Sequence, residues 1–277
     1  MEIDPSWLLL LPVVFALGWV TARYDRGQQR RESRHVSHDV MHAMSALLAD
    51  DAQQATDALL SAARSDPEAT ELHRAVGNLY RRRGLIDRAI EVHEAALRHP
   101  DLVLRERLLL MADLGRDYQA AGLFDRAEAV LIELLDHADT EALANEARLL
   151  LLQIAQITRN WDGALQWAMA LRQHGGTFGD AGYEQLMGHF HCEQADLALA
   201  RGDQQAALAA LAQAESFPAS GPAQRIGLLR AQMVAGGTKA AHDATGQTAC
   251  RVCGFRTRQV VWQCPGCHHW DSFEPVK

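Results

Sequence analysis

Two cysteine pairs of the same spacing lie near the end of this 277-residue chain: Cys250 and Cys253, followed by Gly254, and Cys264 and Cys267, enclosing Pro265 and Gly266. Thiolates are soft metal ligands. Two intervening residues let both sulfurs of one tight turn reach the same ion while nearby amides offset their charge. Two such turns complete a tetrahedral shell of four sulfurs, which suits zinc or a single iron. Gly254 and Pro265 are residue types that tolerate the required turn dihedrals. With all four positions filled by protein, no place remains for a metal-bound water, so hydrolytic metal catalysis is disfavoured. His268 and His269 adjoin Cys267 but read as surface residues rather than ligands.

The elements that hold these turns must come from a very short stretch. Residues 249–277 are too few to fold on apolar burial alone. The run from Phe255 to Gln263 is β-prone and long enough for a short hairpin. The module therefore reads as a zinc ribbon or rubredoxin-like unit, with the metal contributing on the order of 10 kcal/mol or more of its folding free energy. Only ten residues separate Cys253 from Cys264. That tight spacing favours a structural zinc over iron in an electron carrier. Residues 236–248, opening with Gly236, Gly237, Thr238 and Lys239, read as a flexible linker that leaves the module free to dock back.

Upstream, the chain is rich in Ala and Leu and only 6% aromatic, which favours helices. A self-similarity slightly above 34 residues marks helix-turn-helix repeats of the tetratricopeptide type. One unit carries Gly77, Tyr80, Gly84 and Ala89, and its successor carries Gly115, Tyr118, Gly122 and Ala127. Gly77 and Gly115 should let paired helices approach, Tyr80 and Tyr118 fill the space beside them, and Gly84 and Gly122 end the first helices. Weaker copies run through Ala55, Leu59 and Ala62, through Trp161 to Ala164, and through Gly202, Asp203, Ala207 and Leu211. The expectation is about five repeats over residues 38–235, with a capping helix over 223–234. Asp87, Asp125, Asp162 and Asp203 read as helix caps and first-turn charges. Stacked repeats present an extended face for protein or peptide.

Trp7 to Ala22 carries no charge, and with Ile3 and Pro5 before it the stretch approaches the minimum of about 17 residues for a membrane span. Residues 1–22 are expected as a retained transmembrane anchor, since Glu2 and Asp4 precede the apolar run where a signal peptide needs positive charge. Arg23, Arg26, Arg30, Arg31 and Arg34 follow in a basic juxtamembrane segment, residues 23–37, which places the rest of the chain on the cytoplasmic side. Metal-binding thiols suit the same reducing compartment.

The net charge of −8 and the pI near 5.9 disfavour nucleic acid as a partner. His38 and His42 share a helix face but read as solvated. His189, His191 and Cys192 form a tempting cluster, yet no base or oxyanion element accompanies the cysteine, which reads as a small buried hydrophobe. Nucleophile-elbow, phosphate-loop and HExxH motifs are absent from the sequence. No catalytic residues and no organic cofactor are expected.

An apolar N-terminus (Leu9 to Trp19), repeats such as those of Gly77 to Ile90 and Leu114 to Glu128, and the knuckles from Cys250 to Trp270 resemble, in that order, the lipopolysaccharide assembly protein B family. The resemblance implies a mostly α protein: a transmembrane helix, a tetratricopeptide α-solenoid and a C-terminal rubredoxin-like zinc ribbon. It implies Cys250, Cys253, Cys264 and Cys267 as metal ligands, zinc favoured and iron possible. It further implies an inner-membrane adaptor that regulates lipopolysaccharide synthesis by promoting degradation of the LpxC deacetylase by the FtsH membrane protease, with other lipopolysaccharide-assembly proteins as further partners. Family members carry about nine repeats, and the stretch from Phe217 to Cys250 is too short for the remainder. Two other functions stay open at this stage: a general envelope-assembly scaffold, and an iron-thiolate redox protein.

Overall fold

In the computed structural model of the chain, residue 58 and residues 70–100, 102–178, 182–234, 243–259 and 261–276 are described. The expected anchor, the basic segment behind it, His38, His42 and most of the half-repeat around Ala55 lie outside them. Among the described residues, no helix is long and apolar enough to cross a membrane. The chain divides into two compact units, residues 1–123 and 124–277.

The first unit contains α1 (Thr70–Arg82), α2 (Ile86–Leu97) and α3 (Leu104–Ala120). Helix α1 stops in a Schellman turn: Leu85 N–H donates to Tyr80 O at 3.0 Å, Gly84 N–H donates to Arg81 O at 3.0 Å, and Gly84 has φ +75°. The end of α3 repeats the device, with Leu123 N–H on Tyr118 O at 2.8 Å and Gly122 at φ +73°. Glycine adopts this left-handed conformation without the Cβ clash that other residues meet. Gly77 has a different task. The His93 ring of α2 lies so close that a Cβ on Gly77 would run into it, so the pair touches through the missing side chain. Val76 packs with Leu72, Tyr80 and Val92 around this contact.

The second unit contains α4 (Phe124–His137), α5 (Glu141–Ile157), α6 (Trp161–Gln173), α7 (Tyr183–Ala200), α8 (Gln204–Glu215) and α9 (Ser220–Val234). The strands β1 (Asp243–Cys250), β2 (Arg256–Gln259) and β3 (Phe273–Pro275) follow. Helices α4, α6 and α8 are second helices of repeats, as α2 is in the first unit. Each of these four has an alanine at its fourth position, namely Ala89, Ala127, Ala164 and Ala207, and all four are fully buried. Asp203 caps α8 by accepting from Ala206 N–H at 2.9 Å. Asp162, by contrast, is a first-turn residue of α6: Asn160 is the cap, accepting from Gly163 N–H at 3.1 Å, while Asp162 accepts from Gln194 at 2.6 Å. The capping helix α9 starts at Ser220, earlier than expected. Gly188 in α7 leaves room for Pro222 at its first turn.

The main core of this unit gathers Leu152 and Ala155 from α5, Trp161, Ala164 and Leu171 from α6, and Leu186, Met187 and Phe190 from α7. Cys192, Ala195, Leu211, Ala214, Ile226 and Leu229 form a second cluster among α7, α8 and α9.

Candidate metal centre and its seat on the repeats

Strand β1 runs directly into Cys250. It lies at the centre of a three-stranded antiparallel sheet of order β2-β1-β3, with Ala249 opposite Arg256 on one edge and Cys250 opposite Phe273 on the other. Residues 243–248, expected as linker, are therefore part of the sheet. The expected hairpin within 255–263 is also redrawn: β2 folds back across the first knuckle onto β1. The knuckle turn already brings the chain back beside β1, so β2 finds its partner there.

The two knuckles have the same hydrogen bonds. Gly254 N–H donates to Cys250 O at 2.9 Å and His268 N–H to Cys264 O at 2.8 Å; Cys250 N–H donates to Phe255 O at 2.8 Å and Cys264 N–H to His269 O at 2.9 Å. Each turn needs one left-handed residue, supplied by Gly254 at φ +76° and by His268 at φ +60°. His268 thus serves the turn's backbone, and the His269 ring engages Cys267 O at 3.1 Å.

The turns bring the four sulfurs within 4.8 Å of one another. Cys250 and Cys267 are 3.6 Å apart at Sγ, as are Cys253 and Cys264. A tetrahedral zinc shell with ~2.3 Å bonds needs sulfurs about 3.8 Å apart, so the donor set fits one metal ion. Cys250 and Cys264 are buried, Cys267 is intermediate and Cys253 is exposed. Their thiols do not ionise alike. Burial works against the Cys250 thiolate, but the Ser272 hydroxyl, 3.3 Å away, and the N–H groups of Cys253 and Val252 draw it down to about 6. The His269 N–H favours a Cys267 thiolate, but burial and the three neighbouring sulfurs push it up to about 12. Close thiols resist shared ionisation, and a cation among them removes that conflict.

The module is seated on the repeats of its own unit. Trp270, three residues past Cys267, belongs to the main core and meets Trp161 and Phe190 edge-on at 6.3 and 5.9 Å between ring centroids. Its Nε1 donates to Gln156 Oε1 at 2.9 Å, and Gln263 Nε2 reaches the same oxygen at 3.3 Å. His189 stacks on Trp270 at 4.7 Å and places Nε2 2.8 Å from Asp271 Oδ2. Gln185 donates to that oxygen at 2.6 Å, and Gly221 at the start of α9 leaves room for the carboxylate. Burial works against ionised Asp271, but His189, Gln185 and the Arg225 charge outweigh it and hold the group below its usual range.

The structure disperses the cluster of His189, His191 and Cys192. His189 faces the module, His191 stacks on Phe217 at 5.8 Å, and Cys192 lies in the second core with burial pushing its thiol up to about 11. The contacts of Trp270, Asp271, Gln156 and His189 escaped sequence reasoning, although two tryptophans, Trp262 and Trp270, flanking one knuckle were a usable signal.

Residues 249–275 match the rubredoxin metal binding domain family, and residues 40–101 and 112–176 match the tetratricopeptide repeat family. Over 188 residues the chain is 37% identical to lipopolysaccharide assembly protein B of Escherichia coli K12. Over that length the chain resembles the lipopolysaccharide assembly protein B family. That match covers 68% of this chain and 46% of the Escherichia coli protein. The Haemophilus influenzae protein of the same name is 31% identical over 172 residues, covering 59% of this chain and 43% of its own. The chain thus spans a little under half the length of these family members. Among solved structures, the MamA protein superposes with a TM-score of 0.48 at 13% identity, covering 67% of this chain and 92% of that one. The family is a repeat scaffold, not an enzyme class.

Proposed function

We propose that the protein is a single-pass inner-membrane adaptor that regulates lipopolysaccharide biosynthesis by promoting FtsH-dependent proteolysis of the LpxC deacetylase. In this reading residues 1–22 anchor the chain, residues 23–37 meet the cytoplasmic membrane surface, and the repeats and metal module work on the cytoplasmic side. Cys250, Cys253, Cys264 and Cys267 hold one structural metal ion, with zinc favoured because four thiolates close the shell. The observation that carries the reading is Trp270 inside the repeat core, which makes the metal module part of the scaffold in a family built on the same two domains.

The adaptor makes and breaks no bonds. Anchoring it beside a membrane protease raises the local concentration of a weakly held substrate, so a brief encounter becomes productive. The test is the half-life of LpxC in cells lacking the protein and complemented by wild type, by Cys264→Ser with Cys267→Ser, or by a chain without residues 1–22. A longer half-life in the deletion and in both variants is expected. An unchanged half-life in the deletion would sink the adaptor reading and leave an envelope scaffold with other partners.

A further inference from the structure

The chain leaving the second knuckle sends three consecutive side chains to three places. Trp270 enters the repeat core, Asp271 reaches His189 and Gln185, and Ser272 turns back to the first knuckle. Asp271 makes the reversal with φ +48°, and its N–H donates to Trp262 O at 2.8 Å. Ser272 is held by its backbone as well: its carbonyl accepts from Arg251 N–H at 2.8 Å. Its Oγ lies 3.3 Å from Cys250 Sγ and 3.3 Å from His269 O. The hydroxyl therefore bridges the knuckles. Cys250 opens one of them, and His269 O receives the N–H of Cys264, which opens the other, at 2.9 Å.

One hydroxyl proton faces two acceptors, and the chemistry of a metal ligand decides between them. A ligating thiolate carries no proton and only accepts. Cys250 is 2% and Ser272 1% exposed, so protein groups and not water must supply the donors to this sulfur; the N–H groups of Val252 and Cys253 are two of them. Cys253, by contrast, is exposed and can draw on solvent. A hydrogen bond to a charged acceptor is roughly twice as strong as one between neutral groups, and His269 O keeps the Cys264 N–H in either case. The Ser272 proton belongs on the sulfur.

We propose that Ser272 is a positioning residue of the metal centre, whose hydroxyl donates to Cys250 Sγ, offsets part of the buried thiolate's charge and holds that ligand in register with the second knuckle. Groups that hydrogen-bond to metal ligands orient them and tune their donor strength, and removing one costs about ten- to a hundredfold in affinity. Ser272 owes its own fixed place to Trp270 and Asp271, which fasten the preceding turn to the repeats. The inference rests on the reading of the four cysteines as one metal centre and is independent of the adaptor reading.

The test loads the full chain, in detergent, with cobalt(II) in place of zinc and follows the thiolate-to-cobalt charge-transfer band, with affinity read by competition against a chromophoric chelator. A hydrogen bond lowers the energy of the sulfur electrons, so Ser272→Ala is expected to move the band to longer wavelength and to weaken binding about tenfold. Ser216→Ala removes a hydroxyl that donates to Gln213 O outside the module, and should leave band and affinity unchanged. Where Ser272→Ala fails to load, Ser272→Thr and Ser272→Val are a pair of equal size that differs in the hydroxyl alone. Ser272→Thr should keep the wild-type band and Ser272→Val should shift it. An unmoved band and affinity in Ser272→Ala, or identical behaviour of the matched pair, would overturn the inference even alongside a loss of stability in denaturant, because Ser272 would then be a packing residue only. A wild-type chain without a tetrahedral cobalt–thiolate spectrum would remove the metal centre and this inference with it.

Discussion

The two units solve the same packing position in opposite ways. One turn after its buried alanine, each second helix points a fully buried residue inward: Leu131, Ala168 and Leu211 in the second unit, but His93 in the first. Likewise Asp117 of α3 occupies the register that Ile154 fills in α5, four residues before the αR residue that closes each helix. The first unit thus replaces an aliphatic contact with a histidine, a carboxylate and an arginine. The second unit keeps this position apolar and recruits Trp270 of the metal module into the core. Polar joinery is directional and punishes a missing partner, whereas apolar joinery is tolerant but must be covered. One unit secures its helix register by hydrogen bonds, and the other by burying aromatic surface under the cysteine-knuckle module.

The largest effect should come from removing that module. Chelation of the metal, or Cys264→Ser with Cys267→Ser, is expected to unfold the module, release about 10 kcal/mol of metal-linked folding energy and uncover Trp161, Phe190 and Met187. The check is a red shift in tryptophan emission together with dye binding to exposed apolar surface. A module that stayed docked without metal would erase the contrast between the units.

Next is the polar joint. His93→Leu imports the second unit's solution and takes the hydrogen bond from one buried oxygen of Asp117, leaving Arg81 on the other, so a loss of about 3 kcal/mol is expected in denaturant unfolding. Adding Asp117→Ile should recover part of that loss, because the buried charge goes with its partner. Additive losses would show that the histidine and the aspartate do not act as a pair.

The third test concerns pH. Asp271 has a folded value below its unfolded one, so its contribution is present above the unfolded value and disappears as pH falls through the folded value. The part of docking that rests on Asp271, followed by tryptophan emission, should therefore weaken on strong acidification. Asp271→Asn should flatten that acid limb. The smallest effect is expected at Arg159, which sits at φ +56° in the turn after α5, where Gly84, Gly122 and Gly202 serve the other first helices. Arg159→Gly should raise stability by up to about 1 kcal/mol, as read by thermal unfolding.

Much of this architecture was legible in the sequence because it rests on local rules. Gly84 and Gly122 had to be turns, Ala89 and Ala127 had to be close contacts, and four cysteines at this spacing had to converge. What stayed hidden rests on partners far away in the chain. His93 falls on an apolar stripe and looks like an exception until Asp117 and Gly77 are seen beside it. Arg159 occupies a glycine conformation with no local sign of it. Trp270 could have been one more ribbon residue, and only its contact with Gln156 and Phe190 shows that the module is part of the core. Asp162 lies two positions past the cap that Asn160 takes, a distinction that hinges on a single side-chain hydrogen bond.

The knuckles have one backbone pattern but unequal surroundings. Cys264 is sealed and its turn is pinned to the repeats by Gln263 and Trp270, while Cys253 and Phe255 of the other turn face water. In kinetic terms this gives ligand exchange a direction. A competing thiol or chelator reaches Cys253 first and must pry the outer turn open before the inner one yields. An ion held here would therefore leave in two stages, the second gated by the opening of the repeat core itself.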